Sequence, residues 1–377
     1  MRRIAAALIA VAAVAWAHAP ARASVTVSMP SLNLYFGQTD LDDSGGTGSL
    51  MKIERGYNST TTFSGLFGYG WGTWQDQTLE MRPDGRLQFA VFGGGSKTVL
   101  ESSREQAAAD PVPELLGAAQ QAQMVGSDDE ERRFRTMTGT SNGAFDQYEA
   151  FLKTGMLAPA DVSLDSMFHG HAAGLTWSRV VRVPEGYQVT KIPDAACGGC
   201  DSFEGIFTLR GHLVRSWLPG KPHEFVTYTY NEQNDRLIAM QDEHNKRYTL
   251  TYDSDGHITR VDTSTSTYAL YTYKRYPDGS ADLASSRNVN GFVLRYAYDT
   301  DHDVTEIAYP DKTVLRATYV EGNGSVGTVT CPNGTKFAFE RTKDAKPTIT
   351  MTTTTPAGAK TTARFDPDHY QGQQLCT

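Results

Sequence analysis

Alternating apolar and polar positions recur at near-constant intervals through the C-terminal half of the chain. Tyr228 and Tyr230 flank Thr229, Leu250 and Tyr252 flank Thr251, and Tyr271 and Tyr273 flank Thr272. Further on, Tyr296 and Tyr298 flank Ala297, and Ala317 and Tyr319 flank Thr318. A two-residue period is that of a strand with one buried face. The last tyrosines of the five segments, Tyr230, Tyr252, Tyr273, Tyr298 and Tyr319, are 22, 21, 25 and 21 residues apart. Phe337 and Phe339 continue the series 20 residues on. A step of this size predicts a repeat architecture, and repeat sheets build surfaces and containers more often than catalytic centres.

One repeat is clearest between Leu250 and Asp262. Asp253, Ser254, Asp255 and Gly256 are turn residues: short polar side chains bond the backbone, and glycine accepts a positive φ. Ile258 and Val261 then open a return strand, so the unit predicts a β-hairpin. Asn231 to Leu237, Asp299 to Ile307, and Pro310–Asp311 before Val314 and Leu315 repeat the scheme with looser turns. Each tyrosine is expected to pack across strands on its neighbour.

This pattern resembles the YD repeat of the RHS family, which reads roughly Tyr-x-Tyr-Asp-x-x-Gly-x-Leu/Ile. Tyr296, Ala297, Tyr298 and Asp299 match its opening. Tyr252, Asp253, Gly256 and Ile258 match the rest, with Leu250 in place of the first tyrosine. Upstream, Arg55–Ser59, Gly65–Trp71 and Pro83–Leu87 look like the glycine- and aromatic-rich segment that precedes the repeats in RHS proteins. The resemblance implies a mainly β fold: an antiparallel hairpin sheet that spirals into a shell or part of one. Such shells enclose a toxin or serve as cell-surface modules. RHS effectors also carry a C-terminal element rich in Asp-Pro-x-Gly where a toxin is released. Only Asp366, Pro367 and Asp368 resemble it here, so the expectation is an exported member without a C-terminal toxin domain.

The remaining chain is expected to divide into four parts. Residues 1–23 read as a secretory signal peptide, with Arg2 and Arg3 before an apolar stretch and Ala21 and Ala23 at the cleavage site. Residues 24–100 form an N-terminal RHS-like β segment. Residues 101–170 are rich in Ala, Gln, Glu and Arg, with Leu115, Leu116, Ala119 and Gln123 at helical spacing and Phe134 and Met137 at i, i+3. They predict a small helical insertion, its last ten residues a loop, acting as a cap on the sheet or as a partner-binding arm. Residues 171–377 are the repeat sheet.

Removal of residues 1–23 deletes three arginines, leaving 32 basic and 43 acidic side chains and a net charge of −11. An acidic chain with no long basic run argues against nucleic acid and anionic lipid as partners. After the leader, no stretch is apolar enough to span a bilayer. The periplasm, cell surface or medium is the expected location, where disulfides form. Cys197, Cys200, Cys331 and Cys376 allow two bridges in any of three pairings. Cys197 and Cys200 also admit a loop staple, a redox dithiol, or a zinc knuckle with His212 and His223.

No catalytic constellation, cofactor motif or metal motif stands out. His169 and His171 with Asp161 and Asp165 read as a solvated loop. Three functions remain open. The leading one is a non-enzymatic scaffold that recognises a protein or carbohydrate through tyrosines and tryptophans exposed on a wide sheet. Another is a partial shell or accessory in an RHS-type toxin-delivery system. The last, a secreted polysaccharide hydrolase, requires an exposed carboxylate pair beside Trp177 or Trp217. The helical insertion and the loop 194–204 are the expected specificity elements.

Overall fold

The computed structural model describes residues 24–43, 50–91, 96–102, 110–158, 162–164, 166–172, 176–193, 202–320, 322–344, 346–367 and 372–376. The leader, Cys197, Cys200 and most of the loop 194–204 lie outside the described residues, so the readings placed on them remain as expectations. A ladder of 21 strands dominates. It starts with Thr78–Met81, Leu87–Val91 and Ser96–Ser102, joins Met167–Ala172, and runs in sequence order to Lys360–Phe365. All its registers are antiparallel, as consecutive hairpins require. None joins Lys360–Phe365 back to Thr78–Met81 among the described residues, so the sheet is open.

The ladder does curl onto itself. Thr78 bridges His212, and the Leu79 N–H donates to the Gly211 carbonyl at 3.3 Å. The first strand therefore comes back against the turn between the seventh and eighth strands. Gly211 permits this approach: its φ is +85°, and a Cβ there would sit 2.7 Å from the Leu79 oxygen.

Within the repeats the last tyrosine of each segment has a specific task. Tyr252, Tyr273, Tyr298 and Tyr319 donate their hydroxyls to the carbonyls of Leu237, Ile258, Leu283 and Val304, at 2.5–2.9 Å. Each acceptor lies 15 residues earlier, so each tyrosine ties its hairpin to the return strand of the one before. A register shift at each of these tyrosines, and at Tyr230, turns the ring out of plain alternation. The aspartate that follows holds the turn. Asp253 Oδ1 accepts from the Asp255 and His257 N–H groups, and Asp299 Oδ1 does the same for Asp301 and Asp303.

The expected exposure of aromatics is corrected here. The repeat tyrosines are buried or half-buried in the core, as are Trp71, Trp74 and Trp217. The curled sheet turns its aromatic face inward, where ring burial is worth most.

A second, five-stranded sheet fills that face. It comprises Gly372–Cys376, Ser24–Ser28, Asn33–Asp42, Lys52–Asn58 and Trp71–Thr73, in that spatial order. It meets the hairpin ends of the repeats in several places. Leu66 accepts from the Ile258 N–H, Asp40 from Val289, and Leu32 from Val326 through their carbonyls. At its centre Arg55 is fully buried against Asp40, with Nε to Oδ2 at 2.5 Å. Arg55 Nη2 also reaches Ser286 Oγ and the Tyr296 hydroxyl, while Tyr271 donates to Asp40. Trp71 Nε1 donates to the Tyr298 hydroxyl, and the Tyr57 hydroxyl to Asp303. The disulfide Cys331–Cys376 adds a covalent tie from the C-terminal strand to the ladder.

Three helices lie between two neighbouring ladder strands: α1 (Val112–Gln121), α2 (Asp128–Thr138) and α3 (Ser141–Lys153). Ser127 caps α2 in a reciprocal box with Glu130, and Thr140 caps α3. The helices bury their own core of Leu115, Leu116, Ala119, Phe134, Tyr148 and Phe151. Phe134 and Met137 both lie on α2, as their spacing predicts, with Phe134 buried and Met137 exposed. One local expectation is corrected. The tail of the 101–170 segment is partly a strand, since Phe168 is buried and His169 exposed in pairing register with Ser102 and Glu101.

Breaking the buried pair by Arg55→Met leaves Asp40 uncompensated and is expected to cost about 3–5 kcal/mol in denaturant unfolding. Cys376→Ser opens a loop of 45 residues. Chain entropy sets its cost at up to ~4 kcal/mol, which reductant would reproduce in the unsubstituted protein and not in the variant.

Candidate functional site

A cavity of about 830 Å³ opens where the first winding of the sheet meets the helices. Its floor is the hairpin Thr78–Met81 and Leu87–Val91. Alternation sends Leu79, Met81, Leu87 and Phe89 into the core and leaves Thr78, Glu80, Gln88 and Ala90 facing the cavity. Arg210, His212 and the first repeat turn, Tyr230 to Leu237, make the wall. Phe145, Glu149, Leu152 and Lys153 of α3 make the roof. Arg82 joins floor to roof: its Nη1 donates to Gln88 at 2.9 Å, and its guanidinium lies 4.9 Å from the Phe145 ring centroid.

The charges around the cavity largely satisfy one another. Lys153 pairs with Glu149, and both Arg210 and His212 lie 3.7 Å from Asp235. The His212 ring packs on Tyr230 with centroids 4.6 Å apart, and burial holds its pKa below the ordinary value despite Asp235. Asp76 is pushed up to about 7 by burial, although the Leu66 and Thr73 N–H groups donate to its two oxygens. Glu80 also rises to about 7, from burial first and the nearby Glu149 second. Gln77 is only 2 % exposed, and neither its amide nitrogen nor its amide oxygen has a hydrogen-bond partner in the protein.

Of the sequence-selected residues, Tyr230 lines the cavity, whereas Tyr252, Tyr273, Tyr298 and Tyr319 stitch the core. His212 is in the wall, and His223 is exposed away from it. Trp217 is buried with Glu204 Oε2 accepting from its indole, a single carboxylate rather than an exposed pair. The side chains of Trp177 and His171, and Asp161 and Asp165, lie outside the description. Asp253, Asp255 and His257 come together closely enough to hold a cation. Arg275 already donates to both carboxylates at 2.6–2.8 Å, so a guanidinium fills that role. Sequence reasoning missed Gln77, Glu80, Arg82 and Phe145. The alternation from Thr78 to Met81 before the Pro83–Leu87 turn marks the hairpin, but the roof over it is a long-range contact.

With the geometry in place, the chain can be set beside known proteins. Residues 223–366 match the family model described as Teneurin YD-shell, and the chain carries RHS/YD repeats. Among solved structures, the chain is similar to the TcdB2-TccC3-TEV crystal structure, at 9% identity over 86% of this chain and 19% of that one, with a TM-score of 0.23. It is likewise similar to the Photorhabdus luminescens Tc holotoxin pore, at 10% identity, 90% and 24% coverage, and a TM-score of 0.25. The chain spans about a fifth to a quarter of those chains' length. No curated protein sequence matches it.

The fold holds Glu80 protonated to higher pH than an unfolded chain would. Between about 4.5 and about 7 the native state binds the extra proton, so this residue's contribution to stability falls as pH rises through that window. Glu80→Gln is expected to gain on the order of 1–3 kcal/mol at pH 8 and nothing at pH 4, read from urea midpoints at the two pH values.

Proposed function

We propose that this chain is an exported, non-enzymatic YD-repeat scaffold that presents its helical unit to a protein partner at the cell envelope or outside the cell. One observation carries the reading. Of six large apolar side chains that stay exposed among the described residues, five fall between positions 124 and 167: Met124, Met137, Met156, Leu164 and Met167. Exposed methionines suit adaptable protein contacts, because the unbranched side chain repacks against differing shapes. The repeat sheet spends its aromatics on its own interior and supplies rigidity. Export is supported by the charged and apolar leader and by the Cys331–Cys376 disulfide, which an oxidising compartment allows. No described helix is long and apolar enough to cross a membrane.

The test is cross-linking capture from native envelope and medium with residues 24–377 as bait. The expected result is one enriched protein cross-linked within 112–167. Met124→Glu with Met137→Glu should reduce its recovery at least tenfold while leaving thermal unfolding unchanged. Enrichment that survives this double substitution, or cross-links confined to the ladder, would sink the reading.

A further inference from the structure

We infer that the free edge of the repeat ladder, Lys360–Phe365, is a docking site for an extended acidic segment of a partner protein, which adds to the sheet as one more strand. This edge strand pairs with Ile349–Thr354 on one side, and no register holds its other side among the described residues. Alternate residues of such a strand turn their N–H and C=O groups outward, which makes a template for strand addition. Lys360, Thr361, Thr362 and Arg364 are exposed, and Ala363 and Phe365 are only half-buried.

Register sorts the side chains by face. Phe337, Phe339, Met351 and Phe365 pack toward the core. The opposite face therefore carries Lys336, Thr354 and Lys360 in one row, Ala338, Thr352 and Thr362 in the next, and Glu340, Thr350 and Arg364 in the third. Lys336, Lys360 and Arg364 have no ion pair among the described residues. Glu340 stands two strands from Arg364, roughly 10 Å across the sheet, and Asp366 follows the end of the edge strand. Six basic and three acidic side chains lie between positions 336 and 366, against 32 and 43 in the whole chain after the leader. This corner is thus cationic on an acidic protein, and its charges specify the occupant. An incoming strand places acidic side chains opposite Lys360 and Arg364, with a small or hydroxyl residue between them opposite Thr362. Apolar residues at the intervening positions cover Phe365. A second copy does not fit. Two such edges paired antiparallel about Thr362, with their outer faces aligned, set Lys360 opposite Arg364 at both ends, and like charges directly opposite are destabilising.

The experiment titrates residues 24–377 into a fluorescent peptide, Val-Glu-Val-Thr-Val-Glu-Val, and reads anisotropy. The comparators are Val-Lys-Val-Thr-Val-Lys-Val and the fully N-methylated acidic peptide, which cannot donate to a sheet edge. The acidic peptide should bind with a Kd below about 1 mM. A benzophenone at its C-terminus should cross-link within 349–365. Lys360→Glu with Arg364→Glu should weaken binding at least tenfold and pass the preference to the lysine peptide. Thermal unfolding should not change, since both side chains are exposed. Absence of binding by the acidic peptide would overturn the inference and leave Lys360 and Arg364 as charges that merely keep edges apart. Equal binding of either comparator, cross-links elsewhere, or a double variant that binds as the parent does would overturn it too. The edge and the helical unit share no residue, so each can fail its own test without the other.

Discussion

The buried pair of Arg55 and Asp40 is the contact on which the arrangement turns. Two full charges lie out of water, which is costly unless every lone pair and proton is engaged. Tyr271, Tyr296 and Ser286 engage the Asp40 carboxylate and Arg55 Nη2 from the repeats, while Arg55 Nη1 is buried without a hydrogen-bond partner and the guanidinium is surrounded by the rings of Trp71, Phe67, Tyr271 and Tyr296. A hydrophobic plug could slide along a tyrosine-lined sheet at small cost. A hydrogen-bonded ion pair fits in one register alone, so this cluster fixes where the five-stranded sheet sits.

Once that register is fixed, the remaining ties follow from it. Tyr57 reaches Asp303, Leu66 and Leu32 accept from Ile258 and Val326 at the starts of two separate return strands, and the C-terminal strand closes the inner sheet beside Ser24–Ser28. The tyrosine hydroxyls, each reaching back 15 residues, make the ladder stiff along its length. A stiff outer sheet and a fixed inner one leave the helices as a separate core, docked through Arg82 and Phe145. The polar cavity is a by-product of that docking, since the edge of a curled sheet and a helix cannot pack flush everywhere.

Charges near this cavity and near the inner sheet respond to the same physics. Asp76, Glu80 and Asp303 all rise to about 7 chiefly through burial, although their partners differ. The fold therefore holds several carboxyls near neutrality, and its stability declines from mildly acidic to mildly basic pH at these positions.

By itself the sequence determined the local layer of this protein. The alternation around Thr229, Thr251, Thr272, Ala297 and Thr318 prescribes hairpins, Asp253 and Asp299 prescribe their turns, and Ser127 with Glu130 prescribes a helix start. These are short-range effects, carried by backbone geometry and nearest neighbours. Tertiary structure alone decided that the aromatic face turns inward, that Arg55 meets Tyr296 across 241 residues, and that Cys331 pairs with Cys376. It alone brought Glu80 and Arg82 under α3. Such contacts depend on the curl and register of a 21-stranded sheet, a sum of small twists that no single segment encodes.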